Sequence, residues 1–89
     1  MADFTIKRTL ISHEVHNAII TLICQVPGSS QPHEVKVYVS DILMIERRIK
    51  GNDSAIVQAA RSWAEPKLRE ASSITDISEL KMHTENSNT

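Results

Sequence analysis

The sequence predicts an α+β domain: a three-stranded antiparallel sheet with two C-terminal helices packed on one face, followed by a flexible C-terminal tail. Three observations carry that class. Ala18 to Val26 and Val35 to Val39 alternate with the period of two that puts successive side chains on opposite faces of a strand. At Ser40-Asp41 the period changes, and Ile42, Ile45 and Ile49 recur at helical spacing with Leu43 and Met44 widening the stripe. After Gly51 a second helical stripe runs through Ile56, Val57, Ala60, Trp63, Ala64, Leu68 and Ala71. Residues 1–71 form one domain on this reading, and 72–89 form the tail.

The first strand covers Phe4 to Ile11. Phe4, Ile6 and Leu10 fall on one side and Thr5, Lys7 and Thr9 on the other, with Arg8 interrupting the apolar side. Ser12 to Asn17, SHEVHN, is polar and reads as the connection. In the second strand Ala18, Ile20, Leu22, Cys24 and Val26 make a wholly apolar face, and Ile19, Thr21, Ile23 and Gln25 a mixed one, as suits the centre of a small sheet. A helix is the rival reading there, since Ile11, Val15, Ala18, Leu22 and Val26 also fit helical spacing. The β-branched residues crowding Ile19 to Val26 lose rotamer freedom in a helix and decide for the strand.

Pro27 to Glu34 is a loop, with two prolines and a glycine in PGSSQPHE. The third strand turns directly into the first helix. Ser40 is suited to cap it, Asp41 sits at the positive end of its dipole, and Gly51 supplies a left-handed residue to stop it. Asn52, Asp53 and Ser54 offer caps for the second helix, which starts near Ser54. Trp63, the largest apolar side chain, is expected to anchor the helix layer. Pro66 removes the bond to the Ser62 carbonyl and predicts a kink or break. In the tail, Ile74, Ile77 and Leu80 can form a short amphipathic turn, and the residues after Met82 are expected to be disordered.

Composition narrows function by exclusion. With 89 residues, 40% hydrophobic but only 3% aromatic, an aliphatic core must carry the fold, and dimerisation would add buried area. A net charge of −1 provides no global field toward nucleic acid or anionic lipid. Cys24 is the only cysteine, and neither a signal-peptide apolar region nor a membrane-length apolar run occurs, so a cytoplasmic, membrane-free protein is expected.

The chemistry-bearing groups are sparse. His13 and His16 would share a face only on a helix, and no second ligand pair stands at a metal-binding spacing, so no metal and no cofactor is expected. Cys24 lies in the apolar row of the central strand, where cysteine acts as a small buried hydrophobe. No carboxylate pair, phosphate-binding glycine loop or serine elbow is evident, and no enzymatic activity is expected.

Two binding readings follow. The first is a small non-catalytic protein acting through protein contacts, as a homodimer or an accessory subunit, a common character among bacterial and phage proteins of this size. If the helices cover the face of Ile20, Leu22 and Cys24, the opposite face shows Ile19 and Ile23, joined by Tyr38 and by Thr5 and Thr9, as the partner interface. The second is a nucleic-acid-binding module contacting its target through Lys36, Arg47, Arg48 and Lys50, although cations at a helix C-terminus also complement its dipole. Between Glu34 and Ala71, the order strand, helix, Gly51-Asn52-Asp53 turn and second helix resembles a ribbon-helix-helix DNA-binding protein. That resemblance implies a strand paired with its dimer mate, with Lys36, Tyr38 and Ser40 reading bases and Ser54 holding a phosphate.

Overall fold

The structure, a computed structural model, describes residues 2–83. It is α+β, with strands β1 (Thr5–His13), β2 (Asn17–Gln25), β3 (His33–Ser40) and β4 (Glu79–Met82). Two helices, α1 (Asp41–Glu46) and α2 (Asp53–Glu70), follow β3, and a 3-10 turn at Ile74–Asp76 precedes β4. The sheet order is β1-β2-β3-β4. The first three strands are antiparallel, as expected, but β4 lies parallel to β3, so the sheet is mixed and has four strands. Part of the expected tail is therefore sheet. The Lys36 N–H donates to the Ser78 carbonyl at 2.9 Å, and His33 Nε2 donates to the Ile77 carbonyl at 2.7 Å, which seats the chain beside β3 before β4 begins. Ile74 and Met82 are buried in the core. The disorder expected beyond Met82 falls, apart from His83, on residues 84–89, outside those described.

The apolar row of β2 meets that of β3, and Ala18, Ile20, Leu22, Cys24, Val35, Val37 and Val39 are all fully buried. Over them lie Ile56, Ala60, Ala64 and Leu68 of α2, and Leu43 and Met44 of α1. The alanines bring the helix backbone close to the sheet, where a larger side chain would hold it off. Trp63 is only half-buried at the rim of this stripe, with the Lys67 ammonium 4.7 Å from its ring centre, so it flanks the core instead of anchoring it.

β1 departs from simple alternation. Ile6 faces Cys24, but Arg8 faces Ile23, so Lys7 is an extra residue, a β-bulge. Beyond it the phase is reversed. Thr9, Ile11 and His13 share the helix-covered side with Leu22, Ile20 and Ala18, and Arg8, Leu10 and Ser12 turn to the other face. The expected strand put Leu10 with the core and Thr9 outside, and both are interchanged. Arg8, the apparent interruption, thereby stays in water.

The connections follow local chemistry. Val26-Pro27-Gly28-Ser29 closes with a 3.0 Å bond from the Ser29 N–H to the Val26 carbonyl, and Gly28 takes φ 83° at the position where a type II turn requires it. The Ser40 hydroxyl accepts from the Leu43 N–H at 3.2 Å, the expected cap of α1. This helix is shorter than its pattern suggests. The Ile49 N–H bonds to the Met44 carbonyl at 2.9 Å and the Arg48 N–H to the Ile45 carbonyl at 3.1 Å, a Schellman closure in which Arg48, at φ 59°, is the left-handed residue in place of Gly51. Ile42 and Ile45 are 61% exposed, because Leu43 and Met44 are the side of α1 that meets the core.

α2 is capped by Asn52, whose side chain accepts from the Ala55 N–H at 3.1 Å, and it continues unbroken past Pro66. Pro66 and Ser62 are both exposed, so water can meet the carbonyl that the proline leaves without a donor. Arg69 ties the far end of the helix to the N-terminus. The Ala2 N–H donates to its carbonyl at 3.0 Å, its Nη1 donates to the Phe4 carbonyl at 3.3 Å, and its guanidinium lies 4.2 Å from the Phe4 ring centre.

Candidate interaction surface

The helices cover one face of the sheet, and the strand register fixes what the other face shows. Residues directly opposite across a ladder project to the same side, which sorts the open face into rows. Arg8, Ile23 and Glu34 form one row, and Leu10, Thr21, Lys36 and Glu79 the next. Ser12, Ile19, Tyr38 and Lys81 form a third. Leu10 is 47% exposed, and Ile19, Thr21, Ile23 and Tyr38 are half-buried by their neighbours. These five side chains occupy adjacent positions, with Arg8, Glu34, Lys36, Glu79 and Lys81 around them. The result is an apolar centre within a rim of both charge signs, the anatomy of a protein interface.

At the β4 end this surface dips into a depression of about 430 Å³ lined by residues that include Asn17, Tyr38, Ser40, Lys81 and His83. Asn17 Oδ1 is enclosed with no hydrogen-bond partner among the described residues, so it can accept from a donor arriving from outside them. Such a place can seat one polar side chain of a partner beside the apolar patch.

Of the sequence-predicted interface residues, Ile19, Ile23 and Tyr38 do share this face, whereas the bulge removes Thr9 to the covered side. Leu10, Arg8, Glu79 and Lys81 join the surface without having been expected there. Arg8 itself was the available signal, since a cation inside an otherwise apolar row marks a change of phase. β4 offered little signal, for four residues cannot establish a period.

The four candidate nucleic-acid contacts do not converge. Lys36 is on the open face, whereas Arg47, Arg48 and Lys50 follow α1 on the helix side. Lys50 Nζ lies 2.9 Å from Asp41 Oδ2, and Arg48 terminates the helix. The ribbon arrangement also lacks its free strand, because β2 and β4 occupy both sides of β3. Ser54 is exposed in the first turn of α2.

His13 Nε2 donates to Asp53 Oδ1 at 3.0 Å, joining the end of β1 to the start of α2, and His16 is exposed in the turn. Among the described residues no group of three His, Cys, Asp or Glu side chains is placed to hold a metal. Cys24 is fully buried and its thiol directs a weak bond to the Leu22 carbonyl at 3.7 Å. Burial pushes its pKa up, with the charge of Glu65 adding to the shift, so the nucleophilic thiolate is disfavoured. Among the described residues no helix is long and apolar enough to cross a membrane. No family model, curated protein or solved structure matches the chain.

Proposed function

We propose that this protein is a non-catalytic interaction module, a homodimer or accessory subunit, whose working surface is the open face of its sheet. The observation that carries the reading is the cluster of Leu10, Ile19, Ile23 and Tyr38 around Thr21, left uncovered while the other face of the sheet is packed beneath α1 and α2. From strand spacing and rise, three strands over three rows measure roughly 15 by 20 Å. That is a few hundred Å², the size at which exposed apolar surface marks a contact site.

A photo-crosslinking residue placed at Thr21 tests the proposal, with the same residue at Ser62, exposed on α2, as the control. In cells, discrete protein adducts, to itself or to another chain, are expected from Thr21 and not from Ser62. They should vanish when Ile19 and Ile23 are both replaced by threonine, which is also β-branched and keeps the strand. Adducts from Ser62 alone would reject the open face.

A second reading, nucleic-acid binding, draws support from Lys36 and Lys81, which border Tyr38 on this same face. Glu34 and Glu79 lie among them and offset the field. A salt-sensitive shift of labelled duplex, lost on replacing Lys36, would favour this second reading.

A further inference from the structure

The two outer strands of the sheet are unlike. β4 has four residues and carries Glu79 and Lys81, whereas β1 has nine and runs the length of the domain. Which backbone groups β1 leaves unused can be derived. Across the hairpin the Glu14 N–H donates to the Asn17 carbonyl at 2.8 Å. Hydrogen-bonded and non-bonded pairs alternate along an antiparallel ladder, and the register is regular from His13 back to Arg8. Ser12, Leu10 and Arg8 therefore turn their N–H and C=O groups toward β2, and His13, Ile11 and Thr9 turn theirs outward. Among the described residues no backbone group meets those three.

Proteins usually blunt such an edge with a bulge, a lysine, a proline or an inward charge. β1 has its bulge and Lys7 at the N-terminal end only. Thr9, Leu10, Ile11 and Ser12 are uncharged and contain neither glycine nor proline.

We infer that this edge pairs antiparallel with the same edge of a second copy, about a two-fold axis through Ile11. The segment from Arg8 to Glu14, RTLISHE, is complementary to itself in reverse. Ile11 faces Ile11 of the second copy, Thr9 faces its His13, Leu10 its Ser12, and Arg8 its Glu14. The three residues with outward backbone groups then form every hydrogen-bonded pair of the new ladder, and all lie beyond the bulge. Both Arg8 and Glu14 are exposed, and neither makes an ion pair among the described residues, so each is available to the other copy. An axis through Leu10 serves worse. It drives Lys7, the bulged residue, into the pairing and sets Arg8 against Ser12.

The neighbouring side chains allow this approach. His13 reaches Asp53 on the helix side and does not obstruct the edge. Ile11, half-buried at the border of the core, gains an apolar neighbour. The two sheets become one continuous sheet, with both helix layers on one side and both open faces on the other. The edge borders the open face and shares Arg8, Leu10 and Ser12 with it, but its ladder is made by the backbone of Thr9, Ile11 and His13, so either surface can hold without the other.

The test is the dimer dissociation constant of the full chain by sedimentation, for wild type, Arg8→Glu, Glu14→Arg and the doubly exchanged protein. Each single reversal places like charges together at two symmetry-related points and should weaken the dimer roughly tenfold. The double exchange should restore it, and all four should melt alike at concentrations where each is monomeric, since both side chains are exposed. The Ile19→Thr, Ile23→Thr protein should dimerise as wild type does, which separates this interface from the open face. A wild type that stays monomeric at high concentration overturns the inference. So does a dimer indifferent to both reversals, or one that the double exchange fails to restore.

Discussion

Replacing Arg48 with glycine should leave this protein as stable as it was, although it removes a side chain beside a helix C-terminus, where a cation is ordinarily favourable. Arg48 occupies the left-handed position of the Schellman closure that ends α1, at φ 59°. A side chain with a Cβ carries a cost of about 1–2 kcal/mol in that conformation, which glycine avoids. Glycine also gains freedom in the unfolded chain, returning about 0.4–1 kcal/mol of the benefit, and the lost dipole interaction is about 0.3–1 kcal/mol for an exposed group. At mid-range these terms leave a stabilisation of only about 0.2 kcal/mol, within a span from about −1 to about +1.3 kcal/mol, so Tm should shift by about a degree and by no more than a few degrees either way. The reverse change belongs in the same experiment. Gly51 also lies at positive φ, 85°, and an added Cβ there would meet nothing within 4 Å, so Gly51→Ala isolates backbone strain and should lower Tm. Thermal and urea unfolding followed by circular dichroism would measure both. A loss well above about 1 kcal/mol for Arg48→Gly, with α1 still helical, would refute the cap assignment and point to a role for the guanidinium.

Three further outcomes are expected. Pro66→Ala should raise stability by about 1–3 kcal/mol in urea unfolding, because α2 already continues through this exposed position and the substitution restores a donor for the Ser62 carbonyl. Arg69→Ala should cost about 1–2 kcal/mol and loosen the N-terminal segment, seen as faster hydrogen exchange at Ala2, since the Phe4 contacts are lost together. Cys24 should react with a thiol reagent only as fast as the protein opens, even at mildly alkaline pH, because burial raises its pKa and encloses the sulfur; rapid labelling of folded protein would contradict its place in the core.

Local chemistry was readable wherever it decides the outcome. The alternating rows of β2 and β3, the Ser40 cap and the Pro27-Gly28 turn depend on residues adjacent in the chain, and all appear as their patterns imply. What could not be read depends on contacts between distant residues. The phase of β1 is set by where Cys24 and Ile23 meet it, some seventeen positions along. β4 is a strand because β3 offers an open edge and Ile74 and Met82 can enter the core. In α1 both Ile42 and Leu43 are apolar, so docking against the sheet chooses which is buried. The surface shows the same division. Ile19, Ile23 and Tyr38 were legible from period two, while Leu10 and Lys81 came only with the register.

The bulge at Lys7 links the fold to the free edge, and its deletion separates two roles it could have. If the extra residue were needed to direct the side chains, removing it would turn either Phe4 and Ile6 or Leu10 to the wrong face. The register argues otherwise. Ile6 faces Cys24 on the covered side and Arg8 faces Ile23 on the open side, so without Lys7 these two become consecutive residues of an ordinary alternating strand. The deletion should fold, with the Arg69 contacts to Ala2 and Phe4 intact and stability changed by no more than about 1 kcal/mol. What it removes is the kink and the cation that interrupt the outer edge. The straight edge then extends to Ile6 and Thr5, and tighter self-association or aggregation should follow, since a long flat edge is a template for another strand. Thermal unfolding and concentration-dependent sedimentation of the deletion, beside wild type, measure the two effects separately. An unfolded deletion would show that the bulge is required for packing, and a folded deletion that associates no more strongly than wild type would show that it does not guard the edge.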